Sequence, residues 1–397
     1  MKLFPFKNRD RKRRSRRLWN RSFIFLNLSF FLAFTNISFF YIYPLALDGM
    51  GIGPFLIGFV MGLFSVAAVI IRPFLGKIVL LKGEFMVISM GLILSFISSL
   101  GYILITAFGP GMLIIRVVHG IGFSAFIAGA FSFAARTFNP LKRAEAFGVL
   151  GAFMMAAIAL APSFGEFLVR QWGFYAMYMA AAGSLIMAFA AVCMINYPLS
   201  STYHINNKAG VKYFELLKKN RSYLFLLIST FIFAHCQCSV TNFLALIADE
   251  KGVTSGRFFF ISFSVAILIL ITTGRFIDRH GKLFIIKLSY PLFCLGILLI
   301  PAMIRPPFFL IPAVLYGVAM GLLFPTHNAL AADHGSKTEK PAIMSLFTAV
   351  YDSGFISGTI LSGWYAHKTS LNILFWTCGI LAALGFLLVV ASPIKEG

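Results

Sequence analysis

Twelve apolar runs, each long enough for a membrane-crossing helix, fill most of this chain, and almost every positive charge falls in alternate gaps between them. A bilayer hydrocarbon core about 30 Å thick takes about 20 residues of helix to cross. No water is present there to bond backbone N–H and C=O groups, so each run has to pair them internally as a helix. An all-α membrane protein is expected, with spans near 22–45, 55–75, 85–107, 112–136, 146–169, 174–196, 221–248, 256–277, 283–303, 308–331, 342–366 and 371–393. Composition agrees: only 12% of residues are charged, against about 25% in soluble domains.

An even number of spans leaves both termini on one side, and the 34 Lys and Arg select which. The tail through Arg21, the even-numbered gaps and the short C-terminal tail together hold 28 of them, counting residues at helix ends such as Arg72, Arg136 and Lys282. The odd-numbered gaps hold five, Arg170, Lys251, Arg257, Arg305 and Lys368, and Arg116 lies within a span. Lys and Arg collect on the cytoplasmic side of short loops, so both termini are expected in the cytoplasm, the chain residing in a bacterial inner membrane. The same bias absorbs the net charge of +21. The basic run 11–17 reads as an orienting tail that touches anionic lipid, not as a nucleic-acid arm. The first apolar run is too long for a signal-peptide core and lacks a small-residue cleavage site behind it, so no processing is expected. Cys193, Cys236, Cys238, Cys294 and Cys378 all fall in spans, which gives no disulfide framework.

The longest polar gap divides the spans six and six. The expected units are a basic tail 1–21, a six-helix bundle 22–196, a central linker 197–220, a second six-helix bundle 221–393 and a tail 394–397. The linker ends in Lys212–Lys219, which reads as an amphipathic helix on the membrane surface, with Glu215 and Lys219 one turn apart. The halves repeat one another. Gly274-Arg275-Phe-Ile-Asp278-Arg279-His-Gly281-Lys282 lies 198 residues after Gly76-Lys-Ile-Val-Leu80-Leu81-Lys-Gly83-Glu84, and Gly120 and Gly317 correspond at a shift of 197. Such a repeat is the mark of a two-bundle transporter.

At these residues the chain resembles the major facilitator superfamily, whose cytoplasmic loop signature Gly-x-x-x-Asp-Arg-x-Gly-Arg/Lys is matched at every specified position of Gly274–Lys282. Glycines there permit a tight turn, and Asp278 and Arg279 can make charge-assisted hydrogen bonds to a helix end of the other bundle, latching one side shut. The first-half copy departs from the pattern, with Leu80 and Leu81 in place of the Asp–Arg pair and Glu84 in place of the base. Two further stretches resemble the family's drug-and-metabolite efflux branch. Arg116-Val-Val-His119-Gly120-Ile-Gly122 fits its span-4 pattern, and Gly148, Ala157, Ala161, Pro162, Gly165 and Glu166 follow the spacing of its span-5 antiporter signature, with Ala or Glu at three of its glycines. Small residues there let helices approach closely, and Pro162 permits a bend. The resemblance implies two pseudo-symmetric six-helix bundles with a substrate site between them. It further implies proton-coupled efflux of a small amphipathic molecule (a drug, siderophore or metabolite) by alternating access. A proton-coupled importer and a non-transporting receptor or assembly factor are the rival readings.

An ionised group in the bilayer centre costs roughly 2.5–3.5 kcal/mol on the mildest scale, so the few that occur are functional candidates. Asp352 lies about ten residues into span 11 among Gly354, Gly358 and apolar neighbours, and is expected to exchange a proton or hold a cationic substrate. Arg116 and His119, three residues apart on one helix face, and Glu166 complete the candidates for proton coupling; the resemblance is what gives Arg116 that role. Asn36, His235, Gln237, Asn242, His327 and Asn328 are polar groups at membrane depth that either line the substrate cavity or bridge helices. His235-Cys-Gln-Cys238 suggests a soft-metal site, but residues two apart on a helix diverge by about 200°, which separates the two thiols. The 46 Phe supply apolar wall for an amphipathic substrate. No phosphate-binding loop, nucleophile or zinc-protease motif is present, so no enzyme activity, ATP drive or cofactor is expected; the expected partners are substrate, protons and lipid, and the expected state is a monomer.

Overall fold

A computed structural model of the chain describes residues 19–138, 142–197, 221–273, 280–305, 307–334 and 339–391. Asn20 caps the first helix, its side-chain oxygen accepting from the Phe23 amide at 2.9 Å, a bond that satisfies one of the free N–H groups of a helix start. Helix α1 (Arg21–Phe39) continues through a 3-10 turn, Phe40–Ile42, into Tyr43–Gly49. Then come α2 (Pro54–Lys82), α3 (Glu84–Gly101) and α4 (Pro110–Thr137). Arg143–Cys193 is helical throughout except at Gly173, whose φ of 77° breaks it into α5 (143–172) and α6 (174–193). Only glycine takes that backbone region without cost, and one residue therefore does the work for which the sequence suggested a short loop. The second half contains α7 (Arg221–Glu250), α8 (Ser255–Thr272), α9 (Lys282–Leu298), α10 (Leu310–Asp333), α11 (Lys340–Lys368) and α12 (Leu371–Ala391).

Among the described residues nine helical stretches are long and apolar enough to cross a membrane by themselves, the α5–α6 run counting as one. Helix α9, at 17 residues, is shorter, and α11 is interrupted by Asp352, Ser353, Ser357, Thr359 and Ser362; they complete the set of twelve. Within the first half α1 packs on the α5–α6 run, and α4 on α2 and α3. Within the second, α7 packs on α11 and α12, and α10 on α8 and α9. The two six-helix bundles are pseudo-symmetric down to single positions. The alternation of buried, half-buried and exposed residues along 21–40 recurs residue for residue along 221–240.

The halves meet chiefly along two helix pairs, α2 with α11 and α5 with α8, and the segment Phe40–Gly49 also packs on α7. Their closest approaches lie toward the end of the molecule far from the termini. A Cβ built on Gly58 would lie 2.9 Å from the Gly363 Cα, one on Gly62 2.5 Å from Ile360, and one on Gly256 2.5 Å from the Ser163 Cα. Tyr41 and Phe259 add a ring contact at 5.4 Å. The protein is thus closed at its far end. The linker 198–220, the tails 1–18 and 392–397, and Gly274, Arg275, Asp278 and Arg279 of the loop signature lie outside the described residues.

Candidate functional site

Two carboxyl groups straddle the seam between the halves. Asp352 on α11 is paired with Arg72 on α2, the side chains being 15% and 38% exposed. Glu166 on α5, 8% exposed, accepts a hydrogen bond from Ser255 at the start of α8 at 2.5 Å. The first contact lies on the termini side of the close glycine approaches and the second at the far end. The sequence placed Asp352 in apolar surroundings and counted Arg72 among the charges at inner helix ends. Folding brings them together because α2 and α11 are partners across the seam, which no local pattern reveals. Glu166 is buried near the far end of α5.

Inside the first bundle a directional chain of hydrogen bonds joins four helices. The Asn36 amide nitrogen donates to Ser99 Oγ at 2.8 Å and to the Ala181 carbonyl at 3.0 Å. Its oxygen is left to accept from His119 Nε2 at 2.9 Å. That assigns the proton to Nε2 and leaves Nδ1 to accept from the Tyr102 hydroxyl at 3.3 Å. Tyr102 in turn accepts from Arg116 Nη1 at 3.4 Å. Arg116 is 4% exposed, with the rings of Phe64, Tyr43 and Phe40 at 5.0, 5.5 and 5.9 Å from its Cζ. It is enclosed rather than reaching outward to headgroups. Arg116 and His119 are therefore linked through Tyr102, a residue the sequence did not single out.

In the second bundle the polar candidates mainly tie α7 to α11. His235 Nδ1 meets Ser357 Oγ at 2.9 Å, the Tyr351 hydroxyl donates to Gln237 Oε1 at 2.8 Å, and Asn242 donates to Thr359 Oγ1 at 3.3 Å. His327 Nε2 meets Ser229 Oγ at 2.9 Å and its Nδ1 donates to the Leu323 carbonyl at 2.8 Å. Asn36, Asn242 and His327 are buried, so they bridge helices and do not face a cavity in this conformation. His235, Gln237 and Asn328 are half-buried. Among the described residues no group of three metal-binding side chains converges, and Cys238 bonds Thr359 instead, at 2.9 Å.

The glycine candidates divide by their surroundings. A Cβ on Gly120 would meet the Phe64 carbonyl oxygen at 2.3 Å, on Gly122 Ser95 Oγ at 2.6 Å, on Gly165 Phe39 at 2.9 Å, on Gly354 the Phe231 oxygen at 2.6 Å and on Gly358 the His235 oxygen at 2.2 Å. Each marks a close helix approach. Gly148 is the correction: nothing lies within 4 Å of its would-be Cβ, so it is no packing contact. Pro162 sits inside α5 and against Gly256 of α8. Of the loop signature, Gly281 turns with φ 85° into α9, and Lys282 pairs with Asp333 at the end of α10. At the repeat-related positions Glu84 accepts from Arg136 at 2.9 Å. The departure at Glu84 therefore does not leave the first half without an ion pair; it reverses its polarity.

The family model of the Major Facilitator Superfamily matches residues 23–303 and 254–396. The chain belongs to the major facilitator superfamily. It is a multi-pass membrane transporter, not an enzyme. Multidrug resistance protein 1 of Bacillus subtilis is 23% identical over 350 residues, covering 84% of this chain and 86% of the relative. The uncharacterized MFS-type transporter YhhS of Escherichia coli K12 is 23% identical over 352 residues, covering 86% and 84%. The nucleoside transporter NupG superposes with a TM-score of 0.75 at 16% identity, over 94% of this chain and 99% of that one. A bacterial homolog of the human lysosomal transporter Spinster, in an inward-facing and unoccupied conformation, gives 0.67 at 14% identity, over 93% and 96%.

Proposed function

We propose that this transporter couples proton entry to the export of a small amphipathic molecule across a bacterial inner membrane, by alternating access with both termini in the cytoplasm. The observation that carries the reading is the pair of carboxyls at the seam. Asp352 and Glu166 each belong to one half and bind the other, one on either side of the close glycine approaches. A proton on Asp352 removes the charge that holds Arg72, and a proton on Glu166 changes the contact with Ser255. Protonation state and the relative position of the halves are thereby linked, which is what coupled transport requires. His119, joined through Tyr102 to Arg116, is the second group on the proposed proton route. The half-buried His235, Gln237 and Asn328 are the polar candidates for contact with substrate once the halves part.

Orientation follows from the 28-to-five distribution of Lys and Arg, which makes the closed far end the periplasmic one and the conformation inward-facing. Export is favoured by the span-5 signature and by the likeness to a multidrug resistance protein. Energetically, one charge crossing 100 mV supplies about 2.3 kcal/mol, roughly a fortyfold gradient at about 1.4 kcal/mol per decade. Everted membrane vesicles with an imposed acid-inside gradient provide the test, using a panel of lipophilic fluorescent dyes. Dye accumulation that collapses when the gradient is dissipated, and that is lost in Asp352→Asn, supports the reading. Accumulation indifferent to both pH gradient and potential removes proton coupling, and uptake in intact cells in place of vesicles reverses the direction.

A further inference from the structure

We infer that the first bundle holds a binding site for one small monovalent anion, a halide or the carboxylate of a solute, at Arg116. The inference concerns the cluster on the proposed proton route but does not depend on proton coupling. Arg116 is a buried cation whose charge has no counterpart, since no carboxylate lies within ion-pair distance of it among the described residues. A guanidinium offers five N–H donors, and here the acceptors are two neutral groups: Tyr102 Oη at 3.4 Å and Met61 Sδ, a weak acceptor, at 3.1 Å. Its Nε–H is buried and has no partner.

A second buried donor nearby is in the same position. The hydroxyl of Tyr43, a residue 1% exposed, has no hydrogen-bond partner, and the ring that carries it lies 5.5 Å from the Arg116 Cζ. Two orphaned donors beside an uncompensated cation need an acceptor with negative charge. Water would meet the hydrogen bonds but leave the charge, and a buried charge without a counter-ion is what proteins avoid. The surrounding aromatic rings stabilise the cation through their faces yet supply no acceptor for the Nε–H. His119 cannot serve, because its two nitrogens are committed to Asn36 and Tyr102.

A recess of about 340 Å³ at the far end of the first bundle is lined by Ala46, Met50, Tyr102, Phe174 and Tyr178, among others. Tyr102 belongs to both the recess and the Arg116 cluster. The recess is lined by residues of the first bundle alone. Three rings stand within 6 Å of the guanidinium, an enclosure that restricts the proposed ligand to a small ion or a single carboxylate.

The test uses the purified full-length protein in detergent, at one pH and without a gradient, so that its failure is separate from any failure of proton coupling. Unfolding temperature is followed while chloride, bromide or acetate replaces sulfate at constant ionic strength. A saturable rise is expected, because a ligand that binds only the folded state raises its stability. Chloride and bromide acting without acetate identify a halide from solution; acetate acting identifies a carboxylate-bearing solute. Arg116→Gln should abolish the response. Tyr43→Phe, which keeps the cage and the cation, should weaken apparent affinity by about tenfold, as loss of a hydrogen bond to a charged group does. Crystals grown in bromide should show an anomalous peak against the guanidinium. No saturable response to any of the three anions overturns the site. So does a response unchanged in Arg116→Gln or, where that variant does not fold, one unchanged in Tyr43→Phe.

Discussion

At the scale of single residues, the decisive contact is the one between Arg72 and Asp352. Both side chains are partly exposed, so the pair contributes modestly to stability, about 1 kcal/mol or less. Its weight falls on transport, because it spans α2 and α11, a helix pair at which the halves meet. Arg72→Gln is expected to lower the transport rate at least tenfold while shifting the unfolding midpoint little, and the reversed pair Arg72→Asp with Asp352→Arg is expected to regain part of the rate. Dye efflux in the four variants of a double-mutant cycle measures this. Purely additive effects would mean that the two residues act apart. The sequence exposed the members of this site unevenly. Asp352, Arg116 and His119 stand out because ionisable groups are rare in apolar runs. Arg72 does not, being one more base near an inner helix end until α11 is laid beside it. Tyr102, Tyr43 and Phe64 are invisible for the opposite reason: aromatic residues are everywhere in this chain, and only tertiary packing shows which of them surround a cation.

At the scale of helices, the repeat extends from sequence to contact. Gly120 presses α4 onto the Phe64 carbonyl of α2, and Gly317, 197 residues on, presses α10 onto the Ser262 carbonyl of α8, both with a would-be Cβ at 2.3 Å. Backbone cannot yield as a flexible side chain can, so Gly120→Val and Gly317→Val should each destabilise by about 1–3 kcal/mol, read as the midpoint of unfolding in a detergent series. Equal stability in either variant would show that the helices slide apart at no cost. The ion pairs at the helix ends repeat with opposite sign. Glu84 opens α3 and binds Arg136 at the end of α4, whereas Lys282 opens α9 and binds Asp333 at the end of α10. Each half therefore needs opposite charges at the two positions, not a particular sign at either. Glu84→Lys alone sets two cations together with Glu84 and Arg136 mostly buried, and should cost about 3 kcal/mol. Adding Arg136→Glu should recover most of it, measured in the same unfolding assay; no recovery would assign Glu84 some other task. Helix number and position were legible because about 20 apolar residues per crossing is a coarse, local requirement. The reversed polarity was not, since a lone Glu at a loop signature reads as a lost base until Arg136 is placed opposite it.

For the whole molecule, the close contacts between halves at the far end fix what a productive cycle must break. Gly58 and Gly363 lie backbone against backbone, and Gly53 lies at ordinary contact distance from His367, a Cβ there being 3.7 Å from its Nδ1. The first pair is a tight contact of the closed state and the second lies at its rim. A wedge at the tight contact should open the far end. Gly58→Val forces a branched side chain against the Gly363 Cα and the Thr359 carbonyl, so it penalises the closed arrangement without touching a charged residue. A bond at the rim should do the reverse. With Cys193, the exposed native thiol, replaced by Ser, the remaining four cysteines are buried, and a Gly53→Cys, His367→Cys protein carries one reactive pair across the seam. Oxidation is expected to bring dye efflux to background and reduction to restore it, because a closed far end cannot release substrate on that side. In the Gly58→Val background the single variant Gly53→Cys should label faster with a membrane-impermeant maleimide than it does alone, by about tenfold for a shift of about 1.4 kcal/mol between the two states. If the crosslinked protein transports at the uncrosslinked rate, the halves do not part at α2 and α11, and rocking about that seam is not how this transporter works.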